Sequence, residues 1–537
     1  MNPFFAGCCF LLSQQLLEVR FTLLNFQFVN PCHTLRLNPL PVLYYLSSTF
    51  GELVLPGLFT RGQKKDKKES LKRNRIKLSS IFKRPHFDMT ECNSELSYNF
   101  HSHRSLVVQF SDLELSSDAG ILLARQAEEK VQVCRRLSEC IEEWREPNKI
   151  THSLYQLVSQ RVYQLVGGYE DANDSNLLRH DPIYKLACGR IPLAQEELLA
   201  SQPTITRLEN HVSKREVAKM RSEMVEGFIH RYQEAPQEIV LDIDGWDAPT
   251  HGEQQLSFFH GYYGQHMYFP VLINEAGSGY PLVLQLRAGN SHPGKGVAGI
   301  LRWLFWRLKR AFPSVRIILR ADAGFALPEI LRLCERSGVG YAIGFARNAV
   351  TERKIADLLE HARLQCVRTG QKARLFEDVY YAASTWQYPR RLVMKAEWLP
   401  KGGYPRFVLT NLDLPPQVLY DSFYVKPGAD SEHRIKELKL GIQADRLSCH
   451  SFVANQFRLL LAQAAYILML AIRQAAVGTP FATAQVERLR SLLIKGAARV
   501  KVSARRVLVE LAAYSPFAHA LRQITQRLLL LNGLQLG

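Results

Sequence analysis

The sequence predicts an α/β fold: a mixed-sheet core preceded and followed by helices. Three observations predict it. The hydrophobic period switches from helical spacing to alternation at Glu238. From there, strand-like and helix-like runs succeed one another as three strands, a helix, a strand, a helix and a strand. Before and after this stretch, apolar residues return to helical spacing.

Each element follows from its residues. Residues 1–60 carry only four charged side chains, Glu18, Arg20, Arg36 and Glu52, and a basic run from Arg61 to Arg84 follows. The basic run suits either a nucleic-acid-binding arm or translated upstream DNA with the true start at Met89, and the second reading is favoured because residues 1–60 lack both a solvated tail's charge and a domain's patterning, so residues 1–88 read as an atypical extension. Residues 89–237 read as a helical domain. Ser117-Asp118 is expected to cap a helix carrying Ile121, Leu122, Ala124 and Ala127, and a second helix runs from Ser153 to the Gly167-Gly168 stop. A third opens at Ser201 with Pro203 in its first turn and Arg207 on its exposed face, a geometry suited to entering a DNA groove or to a plain surface helix. Residues 238–349 form the first part of the core: strands at Ile239–Asp244, Phe269–Asn274, Tyr280–Arg287, Val315–Arg320 and Gly340–Phe345, with helices at Gly296–Ala311 and Leu327–Ser337. This succession suits an RNase H-like core. Residues 350–423 read as a β-rich insertion, and residues 424–537 as helical, with a basic alternating patch at Arg499–Arg506.

The formal net charge of +18 over 537 residues points to a polyanionic partner, most commonly nucleic acid. Ten cysteines form no Cys-x-x-Cys pair, which suits reduced thiols in a cytoplasmic protein and excludes zinc or disulfide frameworks. The apolar run Leu459–Ile472 contains Gln463 and reads as a core helix, not a membrane span. The apolar start, Met1–Leu12, lacks a basic leader and a cleavage site. No Ser/His/Asp elbow, P-loop or dinucleotide motif is present.

Three acidic anchors remain. In Leu241-Asp-Ile-Asp-Gly-Trp-Asp247, Asp242 and Asp244 lie two apart and share one strand face. Acids on an apolar strand are costly unless they are paired or bind a cation, so either is a metal-ligand candidate. In Ile317–Phe325 an apolar strand ends at Asp322, where α/β sheets collect functional groups; the plainer reading is a helix cap. In Ser431–Lys439 a helix would place Glu432, Lys436 and Lys439 on one stripe and turn Glu437 away. Such a helix suits Glu432 as a metal ligand with Lys436 or Lys439 as a phosphate contact, although taken alone the segment reads more plainly as an ordinary charged surface helix. Three such acids suit phosphoryl transfer on Mg2+, with Mn2+ as a substitute. His260, His266 and His292 read as hydrogen-bonded loop residues.

These motifs resemble one family. Leu241–Gly252, Gly289-Asn-Ser-His292, Arg320–Ala326, Arg406–Asn411 and Glu432–Lys439 are similar to the corresponding segments of the insertion sequence thirteen-eighty family of bacterial DDE transposases. The resemblance runs from about Ser105 to the C-terminus. It implies metal-dependent cleavage at terminal inverted repeats and joining of the freed 3′-hydroxyl to target DNA. It further implies a homodimer on paired ends, a nucleoid-associated protein, and the catalytic set Asp244, Asp322 and Glu432, with Lys439 as the accompanying lysine. The family's broader pattern sets a Tyr seven residues and an Arg four residues before the Glu. Here those positions hold Val425 and Gly428, Tyr424 stands one residue out of register, and Lys426 is the nearby cation. Trp246 replaces a small polar residue after the first Asp. A nuclease without strand joining and an inactive DNA-binding remnant are the alternative functions.

Overall fold

A computed structural model describes residues 114–425 and 432–530, together with the backbone of two short paired strands, Leu96–Tyr98 and Leu106–Val108. The chain divides into two units, Met1–Glu91 and Cys92–Gly537. The first lies outside the described residues, as do the basic run, Lys426 and Gly428. All that follows concerns the second.

Its centre is a nine-stranded mixed sheet. Eight strands form the main path: β1 (Glu238–Gly245), β2 (Val271–Glu275), β3 (Pro281–Gln285), β4 (Arg316–Ala321), β5 (Gly340–Phe345), β6 (Ala373–Tyr381), β7 (Arg390–Leu399) and β8 (Arg406–Thr410). Their spatial order is β6-β7-β8-β5-β4-β1-β2-β3, with Gly402–Gly403 paired to β7. β1, β4 and β5 run parallel, while β2 and β3 return antiparallel to one side. Two helices cover the crossovers from β3 to β4 and from β4 to β5: Val297–Ala311, whose buried Val297, Leu301, Leu304, Phe305 and Leu308 share one face, and Pro328–Arg336. The succession of three strands, helix, strand, helix, strand is the one expected from the sequence.

Three expectations need correction. Residues 350–423 do not form a separate β-rich body. They open with a 21-residue helix, Ala349–Thr369, started by an Asn348 capping box, and their strands extend the main sheet through β8 paired to β5. The C-terminal segment is not wholly helical: Ala498–Ser503 and Arg506–Leu511 form a hairpin that pairs with Leu115–Ser116. Its alternation is therefore a strand signal, with Lys501 paired to Glu510 across it. Nor does Ser117-Asp118 cap the first helix. Ile121–Val131 begins at Gly120, because the buried Asp118 carboxylate accepts from the Tyr169 hydroxyl at 2.8 Å and pairs with Lys495 at 2.7 Å. The second helix does follow its signals: Leu154–Gly167 has a Ser153–Gln156 capping box and ends on Gly168 at φ 88°.

The early helices and the late ones share one core. Helix Phe452–Ala475 is long and apolar enough to cross a membrane, and all of its residues from Ala454 to Ile472 are buried inside the protein. It packs on Leu154–Gly167 and on edge strand β3. Its polar residues finish that edge: Gln456 accepts from the Leu286 N–H at 2.6 Å and donates to the Leu284 carbonyl at 3.0 Å, and Gln463 donates to the Pro281 carbonyl at 2.6 Å. The glutamine that interrupts the apolar run thus satisfies a strand carbonyl that burial would otherwise strand. The described cysteines Cys134, Cys140, Cys188, Cys334, Cys366 and Cys449 are buried thiols.

Candidate active site

The parallel pairing of β1 with β4 sets the site. Arg320 is in register with Asp242, and Ala321 with Ile243. One step further along the same two strands come Asp322 and Asp244. Side chains in register on parallel neighbours share a face, and adjacent strands lie about 4.8 Å apart. The two acids are therefore brought side by side at the carboxyl ends of the central strands, where loops leave space for a ligand.

Glu432 arrives from a distant part of the chain. Residues 432–436 are α-helical and lead into a π-helical turn, Glu437–Gly441. The expected stripe is thus continued in a wider helix. Glu437 is the buried anchor of this turn. It accepts from the Tyr466 hydroxyl and Arg473, both at 2.7 Å, and from the Val486 N–H at 3.0 Å. Glu437 is fixed inward, and Glu432 stands exposed.

Electrostatics joins the three acids. Asp244 is half-buried and its carboxyl is pushed up to about 7. Loss of water is the main cause, the Gly245 N–H opposes it, and the charges of Asp322 and then Glu432 add to the rise. Asp322, open to solvent at its outer edge, is also raised, chiefly by the protein that surrounds its carboxyl. The Gly324 N–H, donated to Asp322 at 3.0 Å, and nearby His292 oppose the rise. Asp322 thus both caps the Ala323–Phe325 turn and faces Asp244.

The second acid on β1 has another task. Asp242 is buried, and both its oxygens are taken by Arg320, at 2.6 and 2.8 Å. Arg434, two residues past Glu432, stands 3.5 Å from the same carboxylate and also donates to the Ala276 carbonyl. Asp242 therefore does not fit the metal-ligand role open to it in the sequence, because two guanidinium groups already neutralise it. The shared strand face that made it a candidate is real, but Arg320 fills it.

The expected cations are distributed differently. Lys439 rests on Asp247 at 2.8 Å. Lys436 is exposed. Arg207 lies exposed on helix Gln202–His211, on the rim of a cleft it shares with Trp144, Arg145, Lys149 and Arg179, and its own guanidinium donates to the Pro203 carbonyl at 3.2 Å.

Two further residues neighbour the acids: Tyr424, which the sequence left one residue out of register, and Arg287, which sequence reasoning missed. Tyr424 lies in a π-helical segment, Val418–Val425, and its hydroxyl is pushed up to about 12 by burial and then by Asp322. A Cβ on Gly344, the β5 residue level with Asp322, would stand 2.5 Å from that hydroxyl. The bare glycine therefore lets Tyr424 reach the site. Arg287 donates to the Phe269 carbonyl at 3.1 Å and stacks on the Phe269 ring at 5.0 Å. Its buried Nη2 finds no hydrogen-bond partner among the described residues, and burial lowers the group to about 10. The Gly289–His292 turn was the available signal for this corner.

No three His, Cys, Asp or Glu side chains among the described residues stand close enough to hold a metal ion together. The donor set nevertheless fits a hard divalent cation in chemistry: three carboxylates, oxygen donors only, whose mutual repulsion a cation would relieve. A family model described as transposase DDE domain group 1 matches residues 99–532. The chain belongs to that family. Among solved structures, this DDE transposase chain is similar to one titled "Cryo-EM structure of piggyBac transposase synaptic complex with hairpin DNA (SNHP)", with 11% identity, a TM-score of 0.36, and coverage of 72% of this chain and 83% of the other. No curated protein matches it.

Proposed function

We propose that this chain is the active transposase of a bacterial insertion sequence of the thirteen-eighty type, built on an RNase H-like core. In this reading it binds the element's terminal inverted repeats as a homodimer, cleaves them, and joins the freed 3′-hydroxyl to target DNA. The observation that carries the reading is the placement of Asp244 beside Asp322 at the ends of two paired parallel strands, with Asp244 raised chiefly by burial and further by the charges of Asp322 and Glu432. Like charges gathered around a half-buried carboxylate are costly for a fold and are expected where a cation and a phosphate are to be handled.

Asp244, Asp322 and Glu432 would hold Mg2+ or Mn2+, which supplies Lewis-acid stabilisation of the phosphoryl oxygens when bound. The protein's own part is to orient. The Asp242–Arg320 pair fixes the register of the strands that present Asp244 and Asp322, and Arg434 ties the Glu432 helix to the same buried carboxylate. Lys439, held at Asp247, and Lys436 lie within the same helical segment as Glu432 and would meet phosphate, and Arg207, exposed on its helix, and Lys426, assigned from the sequence alone, would be further DNA contacts.

The test is a strand-transfer assay with full-length protein, Mg2+ and DNA carrying the element's ends beside a target plasmid. Joined products with wild type, and none with Asp322→Ala, are expected. Cleaved but never joined ends would reduce the reading to a nuclease. Binding without cleavage under Mg2+ or Mn2+ would leave an inactive remnant.

A further inference from the structure

Between β1 and β2 the chain leaves the core and forms a hairpin, Phe258–His260 paired with Gln265–Tyr268. Its tip is Gly261-Tyr262-Tyr263-Gly264, closed by the Gly264 N–H donating to the His260 carbonyl at 2.8 Å. Gly264 sits at φ 65°, and no atom lies within 4 Å of where a Cβ would stand on either glycine. The tip therefore projects into solvent, yet it is aromatic. Tyr262 is 86% exposed, Phe259 56% and Tyr263 39%. Large rings this open are not core, and they are grouped instead of scattered.

The rings form a path back to the acids. Phe269 lies against Gly245, the residue after Asp244. Tyr263 stands 6.3 Å from Phe269, and Tyr262 stands 5.0 Å from Tyr263, edge to face. His260 sits 5.1 Å from Tyr263, and Arg287 stacks beneath Phe269. The ring path from Tyr263 through Phe269 to Gly245 places the tip beside the site where a phosphate would be handled, and the Tyr263 hydroxyl is raised chiefly by burial and then by nearby charges that include Asp247, Asp244 and Asp322.

We propose that this tip is a stacking platform for unpaired nucleobases of the DNA strand whose phosphate lies at Asp244, Asp322 and Glu432. The inference rests on the transposase reading above. Every base has a π face, so tyrosine rings take any sequence, and the nearby Arg287 cation favours a polyanionic strand over an apolar protein surface. A strand end that unpairs to reach the carboxylates loses its own stacking, and rings beside the site offer the displaced base a replacement stack.

The experiment is fluorescence anisotropy with full-length protein in EDTA, using a labelled single strand of about 20 nucleotides and the same sequence as duplex. Wild type is compared with Tyr262→Ala/Tyr263→Ala and Tyr262→Phe/Tyr263→Phe. The expected result is a loss of about 10-fold or more in single-strand affinity for the alanine variant, retention in the phenylalanine variant, and duplex affinity changed by less than about two-fold. Equal single-strand binding by wild type and the alanine variant overturns the platform and leaves DNA binding standing. Parallel loss of single-strand and duplex binding also overturns it. A change in oligomeric mass with single-strand binding intact assigns the tip to a protein interface instead. Failure of wild type to bind either probe overturns the platform together with the DNA reading on which it rests.

Discussion

At the scale of single residues, two aspartates on one strand face have opposite environments. Asp242 is neutralised by Arg320 and Arg434, whereas Asp244 faces two further carboxylates. This contrast yields a pH prediction with a definite sign. The folded value for Asp244, about 7, lies above its ordinary value of 3.8, so the metal-free folded chain holds a proton that the unfolded chain has lost. The contribution is present below about pH 4 and is lost as pH rises through about 7. In chelator at about pH 8, Asp244→Asn is therefore expected to raise Tm by on the order of 1–3 °C, and Mn2+ is expected to stabilise wild type more at about pH 8 than at about pH 6. A variant no more stable than wild type at the higher pH would contradict the environment assigned to Asp244. Asp242→Ala is expected to behave in the reverse way. It leaves two guanidinium groups without their carboxylate and should cost about 3–5 kcal/mol in denaturant titration, with weakened cleavage because the Glu432 helix loses its tie. Unchanged stability would show that the pair carries little.

At the scale of elements, the strand ends were legible because alternation and length agree there. Leu241-Asp-Ile-Asp244 and Ile317–Asp322 are short apolar runs that end in acids, and both are found where expected. The wider helices were not legible. A π-helical segment has no sequence period of its own, so Val418–Val425 could not be read, and the Tyr424 offset looked like a mismatch. Ala349–Thr369 was missed in favour of strands because the β-rich stretch behind it dominated the reading, although Asn348 and Thr351 make a capping box. The Tyr424 placement has its own test. Gly344→Ala should destabilise the protein by about 1–3 kcal/mol through the clash with the Tyr424 hydroxyl. Adding Tyr424→Phe, which removes the oxygen, should restore much of it. Equal melting of the single and double variants would place Tyr424 elsewhere.

At the scale of the whole molecule, the sequence reads residues 89–237 as a helical domain, because helical spacing ends where alternation begins. The structure instead packs Leu154–Gly167 against Phe452–Ala475, nearly three hundred residues away, and that late helix also closes edge strand β3. Hydrophobic period reveals which face of an element is buried, not which distant element buries it. A fragment spanning residues 89–237 should therefore fail to give a cooperative melt or a near-ultraviolet dichroism signal, while adding residues 238–537 restores both. A cooperative melt of the fragment would argue for the separate domain. The shared core also explains how Glu432 can be held against acids on two central strands: Tyr466 and Arg473, both on Phe452–Ala475, grip Glu437.

The central claim is that Asp244, Asp322 and Glu432 form one cation-dependent site for DNA cleavage. Single-turnover cleavage of DNA bearing the element's end, with Mn2+ titrated against full-length protein, tests it most directly. Asp244→Asn, Asp322→Asn and Glu432→Gln should each lower the rate by about a thousand-fold or more while leaving DNA affinity within about two-fold, and the three losses should not add when combined. Cleavage that survives any one of these substitutions would contradict the account.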